Sequence, residues 1–169
     1  TMNAEYYRII HYPAVAFGFI GAATAFQNYF VADWARKMTE RNSPEKNFGI
    51  IAAIVLTAFV GISFFIPYIG VIFTWMLFAG IMMTGFCTSY YLNQAAEQSI
   101  RATLLSFKGL ALNLGYGLLG ILYALLVLSL RKEPEFNQDP NGLFRGAAVW
   151  FSVWFGIAML GVVSLRNRI

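Results

Sequence analysis

Long apolar runs follow one another along this chain, broken by short stretches that hold nearly all of its charges. No Asp, Glu, Lys or Arg occurs from Phe48 to Ile66, from Tyr68 to Leu92, from Gly109 to Leu130 or from Gly146 to Leu165. Continuous apolar stretches of this length, without the alternation of a half-buried strand, predict helices that cross a lipid bilayer. Five spans are expected, at about 13–35, 48–66, 68–92, 101–130 and 143–165. Short connections between them predict one all-α polytopic membrane bundle over residues 1–169, forming a single transmembrane domain.

The breaks carry their own signals. Pro13 is expected in the first turn of the first span, where its missing N–H costs nothing. The segment from Arg36 to Asn47 reads as the longest basic loop, and Pro67 with Gly70 as a tight, uncharged turn. Arg131 to Gly142, with Pro134, Asp139, Pro140 and Asn141, is a further turn region. Residues 1–12 place Tyr6, Tyr7 and Tyr12 among Glu5, Arg8 and His11, an interfacial lead-in with aromatic anchors rather than a cleavable leader.

Composition narrows the classes of function. Of 169 residues 59% are hydrophobic and 12% charged, which excludes an ordinary water-soluble domain. The net charge of +4 reports loop orientation, not nucleic-acid binding. With the amino terminus outside, the inner face receives Arg36, Lys37, Arg41, Lys46, Arg101, Lys108, Arg166 and Arg168. The outer face receives only Arg8, Arg131, Lys132 and Arg145. The excess of basic residues therefore sets the amino terminus outside and the carboxy terminus in the cytoplasm. A single Cys87 and a single His11 provide neither a disulfide, a thiolate metal site nor a haem site, and no enzyme constellation or cofactor site is expected. All acids, Glu5, Asp33, Glu40, Glu45, Glu97, Glu133, Glu135 and Asp139, fall in loops or at span ends. The chain alone supplies no mid-membrane carboxylate for proton coupling.

Tyr91-Leu92-Asn93, followed by Ser99-Ile100-Arg101-Ala102-Thr103-Leu104-Leu105-Ser106, resembles the loop before the eleventh helix of major facilitator superfamily transporters, where an Arg-Ala-Thr segment opens that helix. The five spans are then similar to helices eight to twelve of a twelve-helix transporter, and the charge count gives the same orientation. The segment around Asp33 and Lys37 also resembles that family's basic cytoplasmic motif, although Tyr29, Trp34 and Arg36 depart from its glycine and basic positions. The resemblance implies a small solute moved by rocking against an amino-terminal half that these five spans do not contain.

On that reading the solute-cavity candidates are Gln27, Asn28, Lys108 and Asn113. Lys108 lies roughly 10 Å inside its helix. Intramembrane ionisable groups point to function, whereas a long stem also lets a lysine snorkel to the interface. Asn113 and Gly117 follow Lys108 at roughly helical spacing, either as a cavity stripe or as a packing face. Gln27 and Asn28 are solute contacts or interhelical hydrogen-bond partners. Asp33, Arg36, Lys37, Glu97 and Arg101 form an expected cytoplasmic charge cluster, with Glu97 and Arg101 paired if helical. Gly115-Tyr116-Gly117-Leu118-Leu119-Gly120 has a dinucleotide-fingerprint spacing but no preceding strand, which excludes that chemistry.

Expected partners are the lipid bilayer, another membrane chain and a small solute, with no nucleic acid. The expected location is the bacterial inner membrane or an equivalent energy-converting membrane. A second reading makes the chain a structural or accessory subunit of a larger membrane complex, presenting Trp150, Phe151, Trp154 and Phe155 to its neighbours.

Overall fold

The computed structural model describes residues 2–132 and 141–166, and among them regular structure is entirely helical. The elements are α1 (Met2–Ile9), α2 (Ala16–Arg41), α3 (Pro44–Ser63), α4 (Gly70–Ala95), α5 (Arg101–Leu130) and α6 (Gly142–Arg166). Most of the turn expected at 131–142, and Arg168, lie outside the described residues. Among the described residues four helices are long and apolar enough to cross a membrane: Pro44–Ser63, Gly70–Ala95, Arg101–Leu130 and Gly142–Ser164. The first expected span does not reach that composition. In α2, Gln27, Asn28 and the charged turns from Asp33 onward dilute the apolar residues.

The basic loop expected from Arg36 to Asn47 is mostly helix. Arg36 pairs with Asp33 and Glu40, each at 3.0 Å, and Lys37 pairs with Asp33, so α2 continues to Arg41. These (i, i+3) and (i, i+4) pairs support helix where charge density alone suggests a loop. Only Asn42 and Ser43 separate α2 from α3, whose first N–H groups are met by the Ser43 side chain accepting from Lys46 N, with Pro44 in the first turn. Pro13, expected inside a helix, precedes one: α2 begins at Ala16, after a turn in which Ala16 N donates to the Pro13 carbonyl.

The lead-in contains α1, which closes the α3–α4 turn. There Phe65 and Tyr68 hold φ of 49° and 57°, uncommon for residues with a Cβ. Tyr68 N donates to the Ile10 carbonyl at 2.9 Å and the Tyr12 hydroxyl to the Tyr68 carbonyl at 3.0 Å, fixing this backbone against α1. A Cβ at Gly70 would lie 2.5 Å from the Tyr6 hydroxyl, so the close approach of α1 requires glycine there. Tyr6, Tyr7 and Ile10 are buried with Ile20 and Val71 in one apolar cluster. Burial pushes the Tyr6 phenol up to about 12, with a smaller contribution from neighbouring Tyr7.

The second cluster joins Val31, Ala35 and Met38 of α2, Ile51 and Val55 of α3, and Ala79, Met83 and Cys87 of α4. Lipid offers an apolar side chain the same surroundings as a neighbouring helix, so association depends on close fit. Gly80 supplies that fit: a Cβ there would stand 2.5 Å from Val55 Cγ2. Gly61 is likewise closed by the Phe73 ring.

α6 packs on α3 through the Ser63–Ser152 hydroxyl pair at 2.8 Å and through Phe59, whose ring stands 5.4 Å from Phe155. α5 meets α6 where Tyr123 stacks on Phe151 and meets α4 at Lys108. Between those contacts every residue from Leu110 to Ile121 is exposed.

Candidate functional site

α2 turns its polar residues inward and its aromatic residues outward. Val31, Ala35 and Met38 are buried, while Phe19 (75% exposed), Phe26 (69%) and Phe30 (57%) form the opposite face. Gln27 Nε2 donates to the Trp75 carbonyl of α4 at 3.0 Å. Gln27 Oε1, Asn28 Oδ1 and Trp75 Nε1 are buried with no hydrogen-bond partner among the described residues. Two acceptors and one N–H donor are thus left with unused bonding capacity inside the bundle. Buried polar atoms are nearly always satisfied, so each of them marks a place for water or for a polar guest.

A groove of about 330 Å³ lies beside this face, between α1, α2 and α4, lined by Asn3, Tyr7, Phe17, Gly21, Thr24 and Phe78 among others. Asn28 stands four residues beyond Thr24 and seven beyond Gly21, on the same helical face. A second groove of about 430 Å³ runs between the end of α3 and the start of α6, where the Arg145 guanidinium sits 5.5 Å above the Phe65 ring.

The Lys108 ammonium turns across to α4, donating to the Gly85 carbonyl at 3.0 Å and to Ser89 Oγ. Ser89 Oγ in turn donates to the same Gly85 carbonyl at 2.9 Å. Asn113 is separated from this clasp. Five residues place it roughly 140° round the helix from Lys108, so the two do not share a face, and it lies in the exposed stretch.

The charge cluster divides. Asp33, Arg36 and Lys37 come together with Glu40. Glu97 instead falls in the turn between α4 and α5, where a helical pairing with Arg101 is not available, and Arg101 Nε donates to the Ala96 carbonyl at 3.2 Å. Arg101 therefore closes the end of α4 rather than joining the acidic cluster.

Sequence reasoning missed Asn47, which it placed in a loop. Asn47 is 0% exposed. Its Nδ2 donates to the Met38 carbonyl at 2.9 Å and to the Tyr91 hydroxyl at 2.7 Å, and its Oδ1 accepts from Asn42 Nδ2 at 3.0 Å. One side chain thereby ties α2, α3 and α4 together. The available signal was the Ser43-Pro44 helix start, which moves Asn47 into the first turn of α3 and onto its inner face. Trp75 was also missed, because nothing in the sequence sets its carbonyl against Gln27.

No family model, no curated protein and no solved structure matches this chain.

Proposed function

We propose that the chain is the carboxy-terminal portion of a secondary transporter of the major facilitator type, moving a small solute together with an amino-terminal set of helices. The observation that carries this reading is the inward polar face of α2, with Gln27 Oε1, Asn28 Oδ1 and Trp75 Nε1 buried and unpartnered. A packing helix in lipid has no use for unfilled polar groups, whereas a solute path does.

The same orientation supports a fifth span. A helix lying in water would turn Gln27 and Asn28 outward and Phe19, Phe26 and Phe30 inward, the reverse of α2. With five spans, the basic end of α2 and the Arg101 start of α5 lie on the cytoplasmic side and the amino terminus outside, in a bacterial inner membrane or its equivalent. The middle of α5, exposed from Leu110 to Ile121, suits lipid as well as a further membrane chain, so it is equally compatible with the second reading, an accessory subunit seated against a larger complex.

The test is uptake of labelled small polar solutes by vesicles holding the chain with its native companions. Gln27→Leu and Asn28→Leu are expected to slow uptake at least about tenfold while assembly is kept, since each removes a bond from the path. Unchanged uptake by both variants would refute the α2 site, and assembly without any uptake would favour the accessory subunit.

A further inference from the structure

We infer that the groove between α1, α2 and α4 binds a small neutral polyol, resting on the reading that this bundle carries a small solute. The α2 wall of the groove is made by Phe17, Gly21 and Thr24, and Asn28 is the next position in the same series. Spaced four, three and four residues apart, these four positions fall within roughly 60° of one another round the helix. A helical side chain leans toward the amino-terminal end of its helix, so the Asn28 amide leans toward Thr24 and closes the inner end of the groove. Asn28 Oδ1 is buried and has no hydrogen-bond partner among the described residues.

The groove offers acceptors and lacks charge. The Thr24 hydroxyl donates its proton to the Ile20 carbonyl at 2.8 Å, so its oxygen has only acceptor capacity left. Thr24 and Asn28 therefore present two acceptors one turn apart, roughly 6 Å along the helix axis. A ligand with hydrogen-bond donors repeated along its length satisfies both, and a polyol carries a hydroxyl on each carbon. None of the seven residues lining the groove is charged, and the two charged side chains of α1, Glu5 and Arg8, pair with each other. An ionic guest would enter without a counter-charge, at a cost that a neutral one avoids.

The remaining walls suit the carbon side of such a molecule. Phe17 of α2 and Phe78 of α4 supply rings, while Asn3 and Tyr7 close the groove from the α1 side. A Cβ added at Gly21 would meet nothing within 4 Å, so the α2 wall is open between Phe17 and Thr24. The volume of about 330 Å³ is roughly tenfold the share of one water molecule and stands at the lower end of the range for small-molecule sites. One water would satisfy the Asn28 acceptor alone; a groove of this size with aromatic walls fits a molecule of several carbons.

The experiment compares three four-carbon probes on the full chain purified with its companions, in micelles whose headgroups carry no hydroxyl. Erythritol is the polyol, 1,2-dimethoxyethane keeps oxygens but has no donor, and erythronate adds a negative charge. Binding is read as saturation transferred from protein to the C–H NMR signals of each probe. Erythritol is expected to receive saturation, and the other two at least about tenfold less. Asn28→Leu, which removes the acceptor, and Gly21→Leu, which fills the groove where there is room for a side chain, are each expected to weaken erythritol binding at least about tenfold. Gly18→Leu, equally open but outside the groove, is expected to leave it unchanged. No transfer to erythritol, or equal transfer to erythritol and either of the other probes, would overturn the assignment on the unmodified protein without need of any variant. Full erythritol binding in Gly21→Leu would overturn it as well. If erythritol binds through Gly21 and Asn28 yet no solute is taken up, the transporter reading falls and the groove site stands. If uptake depends on Gln27 while erythritol receives no saturation, the reverse holds.

Discussion

Replacing Asn47 by Ala removes the side chain that joins α2, α3 and α4. Three hydrogen bonds go with it: two donated, to the Met38 carbonyl and the Tyr91 hydroxyl, and one accepted from Asn42. Each such bond contributes about 1 kcal/mol net, so their sum is about 3 kcal/mol. Asn47 is fully buried and its bond to the Met38 carbonyl is buried with it. Asn42 and Tyr91 are half-buried and regain part of their bonding from water, so about 3 kcal/mol is the upper figure. The better helix propensity of Ala returns about 0.5 kcal/mol at most. Tyr91→Phe removes one of the three bonds and is expected to cost about 1 kcal/mol. In the double variant that bond is lost only once, so the two costs fall short of additivity by about 1 kcal/mol. The assay is reversible denaturant unfolding in detergent micelles, followed by helical circular dichroism. An Asn47→Ala cost below about 1 kcal/mol, or strict additivity with Tyr91→Phe, would refute the claim that this network holds the corner.

Gly80→Ala drives a Cβ to 2.5 Å from the stiff Val55 side chain and is expected to cost about 1–3 kcal/mol in the same assay. Gly117→Ala, at a position with nothing within 4 Å, is expected instead to stabilise the isolated chain by about 0.5–1 kcal/mol through helix propensity. Gly117→Leu should leave the isolated fold intact yet reduce the yield of companion chain recovered with it, read by native mass spectrometry. The folded Tyr6 phenol sits at about 12 against an ordinary 10.0, so its stabilising contribution is complete below pH 10 and is lost as pH rises from 10 to 12. Tyr6→Phe should flatten that alkaline decline in melting temperature.

The apolar runs made the helices behind α3 to α6 legible, because a charge-free stretch of that length has few other uses. α2 was legible as a helix but not in its facing. Its Gln27 and Asn28 sit on adjacent positions, and only the packing of Val31, Ala35 and Met38 on α3 and α4 shows which side is inside. The charges from Arg36 to Lys46 suggested a loop, since ion pairs formed by helix look identical in sequence to solvated charges. Glu97 and Arg101 show the opposite error: four-residue spacing implies a pair only if the helix already exists at Glu97, and it starts at Arg101. Lys108 stood out by its depth, but the choice between the interface and a neighbouring helix depended on Gly85 and Ser89, which lie far away in the chain.

Native mass spectrometry of the chain, extracted gently from its own membrane with every companion identified, tests the transporter reading most directly. The expected result is one assembly that adds about six or seven further apolar spans, on one companion or on the same polypeptide, covering the open middle of α5. Recovery within a large assembly of unrelated subunits or pigments, with Gln27 and Asn28 dispensable, would contradict it.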